Sequence, residues 1–164
     1  MTGPDPVTGP DAQAARLVTA LTRRGETVAA AESLTAGLVC ATLARIPGAS
    51  AVLRGGLVVY ATELKHVLAG VDEELLAARG AVDPEVAVQL AAGARARCGA
   101  TWGLGLTGVA GPSGQDGAAP GTVHLGLSGP TGTTVRSLGF DGDRDAVRTA
   151  SVSAAFTLLE EQLD

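Results

Sequence analysis

Along its first two thirds the chain alternates short apolar runs of strand character with helical segments, and that alternation restricts it to an α/β architecture. Ala14, Leu17, Val18 and Leu21 share one face of a helix over Asp11 to Arg24, stopped by Gly25. Thr27 to Ala31 is β-compatible. Glu32-Ser33 then leads into a helical pattern from Ala36 to Ile46, ended by Pro47-Gly48. Leu53 to Tyr60 reads as a buried strand in which Gly55-Gly56 marks a bulge or a close approach. Short helices follow over Glu63 to Leu68 and Asp72 to Arg79, and Asp83-Pro84 supplies an N-cap and a first-turn proline for a long helix to about Cys98. Thr101 to Thr107 is a buried strand, Gly108 to Gly121 a loop, and Thr122 to Leu127 pairs with Thr133 to Phe140 as a hairpin around Gly129-Pro130. A helix over Asp143 to Leu163 closes the chain. Alternation first and a hairpin later predict a single three-layer α/β/α domain with a mixed sheet over 11–164, preceded by a disordered tail at 1–10.

Composition narrows the function classes. The 30 Ala and 23 Gly, against four aromatic residues, imply a core of small and aliphatic side chains. With 12 Lys and Arg against 17 Asp and Glu, a net charge of −5 and no basic run, the chain lacks the footprint of a nucleic-acid binder. The uncharged stretch from Cys98 to Gln115 is too rich in Gly, Pro, Ser and Thr to span a membrane, and the N-terminus lacks the basic start and apolar run of a signal peptide. A cytoplasmic protein without a membrane partner is expected. Cys40 and Cys98 have no metal or redox spacing and read as buried free thiols; His66 and His124 are similarly isolated. Of the 12 cations only Lys65 is a lysine, and the sole tyrosine, Tyr60, stands five residues before it.

Gly103-Leu-Gly105-Leu-Thr-Gly108 matches the dinucleotide fingerprint letter for letter, but its glycines lie inside the expected strand and no helix opens after them. A Tyr–Lys pair of the short-chain dehydrogenase kind needs a spacing of four on a helix, whereas Tyr60 ends an apolar run. Ser33, between a strand and a helix, is either a helix N-cap or a nucleophile whose turn offers backbone N–H groups to an oxyanion or phosphate. A nucleophile needs a base. Neither histidine has a supporting motif, and a lysine serves if burial depresses its pKa, which arginine cannot imitate.

The segments Ala31-Glu-Ser-Leu-Thr-Ala-Gly37, Ile46-Pro-Gly-Ala-Ser50, Gly55-Gly-Leu-Val-Val-Tyr60 through Lys65 to Gly70-Val71, Thr107-Gly-Val-Ala-Gly-Pro112, Pro120-Gly-Thr-Val123 and Phe140-Asp-Gly-Asp-Arg-Asp-Ala-Val-Arg148 resemble, in that order, the CinA C-terminal domain family of nicotinamide-nucleotide amidohydrolases in its stand-alone form. The resemblance implies hydrolysis of the carboxamide of nicotinamide mononucleotide to nicotinic acid mononucleotide and ammonia, without metal or cofactor. It assigns catalysis to Ser33, Tyr60 and Lys65. Lys65 would take the Ser33 proton directly or through the Tyr60 hydroxyl, and an acyl-enzyme would form on Ser33. Expected substrate contacts are Glu32, Thr35, Ala36 and Gly37 on the nucleophile turn, Thr107, Gly108 and Gly111 at the strand end and loop, and Arg144 and Arg148 for the phosphate. The loop could equally be a plain connector, and the two arginines a solvated helix face. Leu34 and Ala36 replace the Cys and first Gly of the family's Glu-Ser-Cys-Thr-Gly-Gly pattern; the Ala36 methyl matters if that residue must take a glycine-like conformation. A non-catalytic nucleotide-binding module of competence or damage response, and an amidase for another small amide, are the alternatives. The Ala-rich helix faces suit a homo-oligomer contact and the sheet equally.

Overall fold

The computed structural model describes residues 9–164. Its elements are α1 (Pro10–Arg24), β1 (Val28–Glu32), α2 (Leu38–Ala44), a single 3-10 turn (Ala49–Ala51), β2 (Leu53–Val58), α3 (Thr62–Ala69), α4 (Glu73–Arg79), α5 (Pro84–Cys98), β3 (Trp102–Gly108), β4 (Thr122–Gly129), β5 (Gly132–Gly139) and α6 (Arg144–Leu163). The sheet order is β2-β1-β3-β4-β5; β1 runs parallel to β2 and β3, and β4 and β5 return antiparallel. It is the mixed sheet the alternation predicts. Helices α1, α2 and α6 cover one face, while α5, with α3 and α4 beside it, covers the other.

Alternation along the strands sorts side chains between two cores. Val28 and Ala30 of β1, with Leu104 and Leu106 of β3, join the core under α1 and α6; Ala29 and Ala31 join the core under α5. On the α5 face β1 carries only alanines, and β3 and β4 are reduced to glycine at Gly103, Gly105 and Gly126. A Cβ at Gly103 would overlap the Ala91 carbonyl oxygen, and one at Gly105 or Gly126 would overlap that of Ala87. Gly103 and Gly105 therefore let α5 lie against the sheet, a packing role in place of the phosphate turn of a dinucleotide fold. Gly105→Ala is expected to lower stability by about 3 kcal/mol or more, because backbone atoms on both sides cannot move aside; urea unfolding checks this.

Local capping chemistry holds where the sequence points to it. Asp72 and Asp83 accept the amides of Glu74 and Glu85, and Gly25, Gly80 and Gly99 end α1, α4 and α5. Several boundaries move. The first helix already includes Pro10, so the expected tail at 1–10 overlaps it by that residue; residues 1–8 lie outside the described residues. Helix α2 begins at Leu38 rather than Ala36, because Ala36 and Gly37 have positive φ. The strand expected to be buried from Leu53 to Tyr60 is an edge strand that ends at Val58 and alternates between half-buried and exposed positions. Gly55-Gly56 serves in both ways foreseen: the register slips opposite Val28 and Ala29, and the Cys40 sulfur occupies the space of a Gly56 side chain.

Cys40 and Cys98 are free, but only partly buried. Burial, reinforced by the Glu32 carboxylate, pushes the Cys40 thiol up to about 12. His66 Nδ1 lies 2.8 Å from the Val71 carbonyl oxygen and His124 Nδ1 lies 2.7 Å from Ser137 Oγ. Among the described residues no helix is long and apolar enough to cross a membrane, and no group of three or more His, Cys, Asp or Glu is placed to hold a metal ion.

Candidate active site

The parallel strands β1, β2 and β3 end on the same side of the sheet, where ligands of open α/β folds bind. Ser33 is the first residue past β1; its N–H continues the ladder by donating to the Leu106 carbonyl at 2.9 Å, and it is 8% exposed. Beside it opens a cleft with about 510 Å³ of empty space, lined by Ser33, Leu34, Tyr60, Thr107, Gly108, Gly111, Ser113, Gln115 and Arg144, among others.

The turn between Ser33 and α2 carries the local chemistry. The Ala36 amide donates to the Ser33 carbonyl at 3.1 Å and that of Leu38 to Thr35 at 3.0 Å. Ala36 sits at φ 49° and Gly37 at φ 101°, so an alanine occupies a left-handed position that glycine adopts without a Cβ penalty. Ala36→Gly is accordingly expected to raise stability by about 0.5–1 kcal/mol, read as a higher urea midpoint; an unchanged or lower midpoint would contradict strain at this position. The N-cap of α2 is Gly37, and Ser33 makes no cap. Capping comes from Glu32, 1% exposed, whose carboxylate accepts the amides of Val39 at 2.8 Å and Cys40 at 3.2 Å. Glu32, expected at the substrate, thus faces α2. Thr35 is fully buried, and its hydroxyl has no hydrogen-bond partner among the described residues.

Tyr60 lies two residues past β2 and is 55% exposed. Its hydroxyl accepts from Arg144 Nη2 at 2.6 Å, while Arg144 Nη1 donates to the Gly111 carbonyl at 2.7 Å. Arg144, the first residue of α6, so ties the two walls of the cleft. Arg148, one turn further, is not a cleft-lining residue: Nε donates to the Leu34 carbonyl at 2.9 Å and Nη2 to that of Thr35 at 3.1 Å.

Lys65 on α3 is 1% exposed, and its Nζ donates to the carbonyls of Val59 at 2.7 Å and Tyr60 at 3.2 Å. Desolvation lowers its pKa from the ordinary 10.5 to about 8, opposed by the charges of Asp116 and Glu63. The Tyr60 hydroxyl, foreseen as a relay to Lys65, is engaged by Arg144 instead.

Thr107, 1% exposed, donates its hydroxyl to the Ala81 carbonyl at 2.7 Å, and Asp116 Oδ2 accepts the Ala81 amide at 3.0 Å. Both backbone groups of Ala81, two residues past α4, are thus held at the cleft wall, the N–H by Asp116 and the carbonyl by Thr107. Asp116 escaped sequence reasoning; the Asp116-Gly117 turn dipeptide and the bare Gly80 opposite it were the available signals. Gly108 is required by the close approach of Thr122, whose carbonyl would meet a Cβ at 2.5 Å, and Gly111 turns the loop at φ 93°.

Residues 11–163 match the family model described as the CinA C-terminal domain. A CinA-like protein of Frankia casuarinae is 52% identical over 143 residues, covering 87% of this chain and 33% of the relative; a putative competence-damage inducible protein of Desulforamulus reducens is 43% identical over 85% of this chain and 34% of its own length. The chain spans about a third of the length of these curated relatives. Among solved structures, the competence damage-inducible protein A of Klebsiella pneumoniae superposes with a TM-score of 0.91 at 30% identity, covering 94% of this chain and 97% of that one. The competence/damage inducible protein CihA of Agrobacterium tumefaciens gives 0.88 at 35% identity, over 94% and 96%.

Proposed function

The chain belongs to the CinA C-terminal domain family, and from that membership we propose that it is an amidohydrolase that converts nicotinamide mononucleotide to nicotinic acid mononucleotide and ammonia, with Ser33 as nucleophile. The observation that carries this reading is Lys65: a buried amine with a pKa near 8, bonded to the backbone of the cleft residue Tyr60. Neutral, that amine has two N–H bonds for the Val59 and Tyr60 carbonyls and a lone pair left to accept a proton.

Ser33 Oγ attacks the carboxamide carbon as its proton passes to Lys65. The oxyanion draws on the turn amide of the half-buried Gly37, that of Thr35 being fully buried and that of Ala36 bonded to the Ser33 carbonyl. Collapse of the tetrahedral adduct returns the proton to the departing nitrogen and releases ammonia. Water then adds to the acyl group, Lys65 again taking the proton, and the carboxylic acid leaves. Arg144 is suited to the 5′-phosphate: its present acceptors are a neutral hydroxyl and a carbonyl, and a phosphate accepts charge-assisted bonds roughly twice as strong.

Ammonia release by the purified protein tests the reading, with nicotinamide mononucleotide, nicotinamide riboside and free nicotinamide as parallel substrates. Turnover that needs the mononucleotide is expected. Preference for a phosphate-free amide would reassign the substrate, and binding without turnover would make the domain a non-catalytic nucleotide-binding module.

A further inference from the structure

We propose that Arg148 is a positioning residue, a latch that holds the Ser33 turn in shape from the second turn of α6. The turn is locally unfavourable. Ala36 is left-handed at φ 49°, and the Thr35 hydroxyl is buried without a partner. Such a conformation persists only where other contacts over-determine it. Arg148 supplies them across 114 and 113 residues of chain, its planar fork donating to the consecutive carbonyls of Leu34 and Thr35. Among the described residues its one ion-pair partner, Asp145, is 3.8 Å away and 90% exposed, so the guanidinium is oriented by the turn and not by that pair.

This assignment divides the two arginines of α6. Arg144 lines the cleft and bonds groups on both its walls, whereas Arg148 bonds the backbone on either side of the Thr35 amide. A phosphate ligand at Arg148 would have to strip both carbonyls. The catalytic consequence rests on the amidohydrolase reading; the structural one does not.

The test compares Arg148→Met and Arg148→Lys with the unaltered protein in two measurements. Amide hydrogen exchange at residues 34–38 is expected to quicken by about tenfold or more in both variants, with α5 and the central strands unchanged. In the ammonia assay kcat on nicotinamide mononucleotide is expected to fall by about 10- to 100-fold with KM within about threefold, since displaced catalytic groups lower turnover without weakening the grip on the phosphate. Adding Ala36→Gly to Arg148→Met is expected to restore part of kcat, because glycine needs less holding at that φ. Unchanged exchange at 34–38 overturns the latch; so does a KM for the mononucleotide that rises while kcat is kept, which marks a phosphate ligand. Lysine at 148 keeps the measurement available if the methionine variant does not fold. Should the unaltered protein release no ammonia, the amidohydrolase reading fails while the exchange arm still decides the latch.

Discussion

Ser33→Ala is expected to lower kcat for ammonia release by about 10⁴ or more while leaving the fold intact. Removing a nucleophile forfeits the covalent route, and only the binding and oxyanion contacts remain to accelerate attack by water. The stability of the variant follows from the surroundings of Ser33. Its bond to the sheet is made by the backbone N–H on Leu106, and the capping of α2 is done by Glu32, so neither depends on the hydroxyl. Urea midpoints of the variant and the unaltered protein should agree within about 0.5 kcal/mol. Equal turnover in the two proteins would remove Ser33 from the chemistry, and a large loss of stability would return it to a structural role.

Lys65→Met is expected to cost about 10³ in kcat and to erase a pH dependence. A base with a pKa of about 8 works when deprotonated, so on the proposed mechanism kcat/KM of the unaltered protein should climb with pH and level off above about 8. The same group ties stability to pH. Its native pKa is below the unfolded value of 10.5, so between about 8 and 10.5 the unfolded chain binds the extra proton at Lys65 and this group's contribution to stability rises with pH across that window; above about 9 the Cys40 thiol, raised from 9.0 to about 12, is protonated in the native state alone and acts in the opposite sense, so the rise is read between about 8 and 9. The shift corresponds to about 3 kcal/mol at most, present above the window and absent below it. Methionine has no proton to lose, so urea midpoints of Lys65→Met should be flat between about 8 and 9 and fall above about 9, where the raised Cys40 thiol alone acts. A variant that keeps either the rate limb or the stability slope would place the titration on another group.

Elements whose ends are set by neighbouring residues were legible before any coordinates. Asp83 followed by Pro84, and Gly99 at the far end, delimit α5; Asp72 and Gly80 do the same for α4. The family motifs brought Ser33, Tyr60, Thr107 and Arg144 into view, and all four line one cleft. Less legible were the lengths of α2 and β2. The apolar pattern continues through Ala36 and through Val59 to Tyr60, but the left-handed turn and the position of β2 at the sheet edge cut each element short.

The roles of the remaining polar groups could not be read along the chain at all. Glu32 looks like a substrate contact until α2 folds over it; Arg148 looks like a phosphate ligand until α6 docks beside the Ser33 turn; Asp116 looks like a loop residue until its carboxylate meets the Ala81 amide. Sequence alone determined the order of strands and helices, the mixed sheet and the short set of residues able to do amide chemistry, because caps, turns and periodicity act over a few residues. Tertiary structure decided which of those residues faces the cleft, which is locked to backbone, and how far the burial of Lys65 lowers its pKa. Those outcomes depend on how elements pack, Glu32 under the helix seven residues on, Asp116 and Arg148 on backbone 35 and 114 residues away, and on the removal of water, which spacing along the chain does not encode.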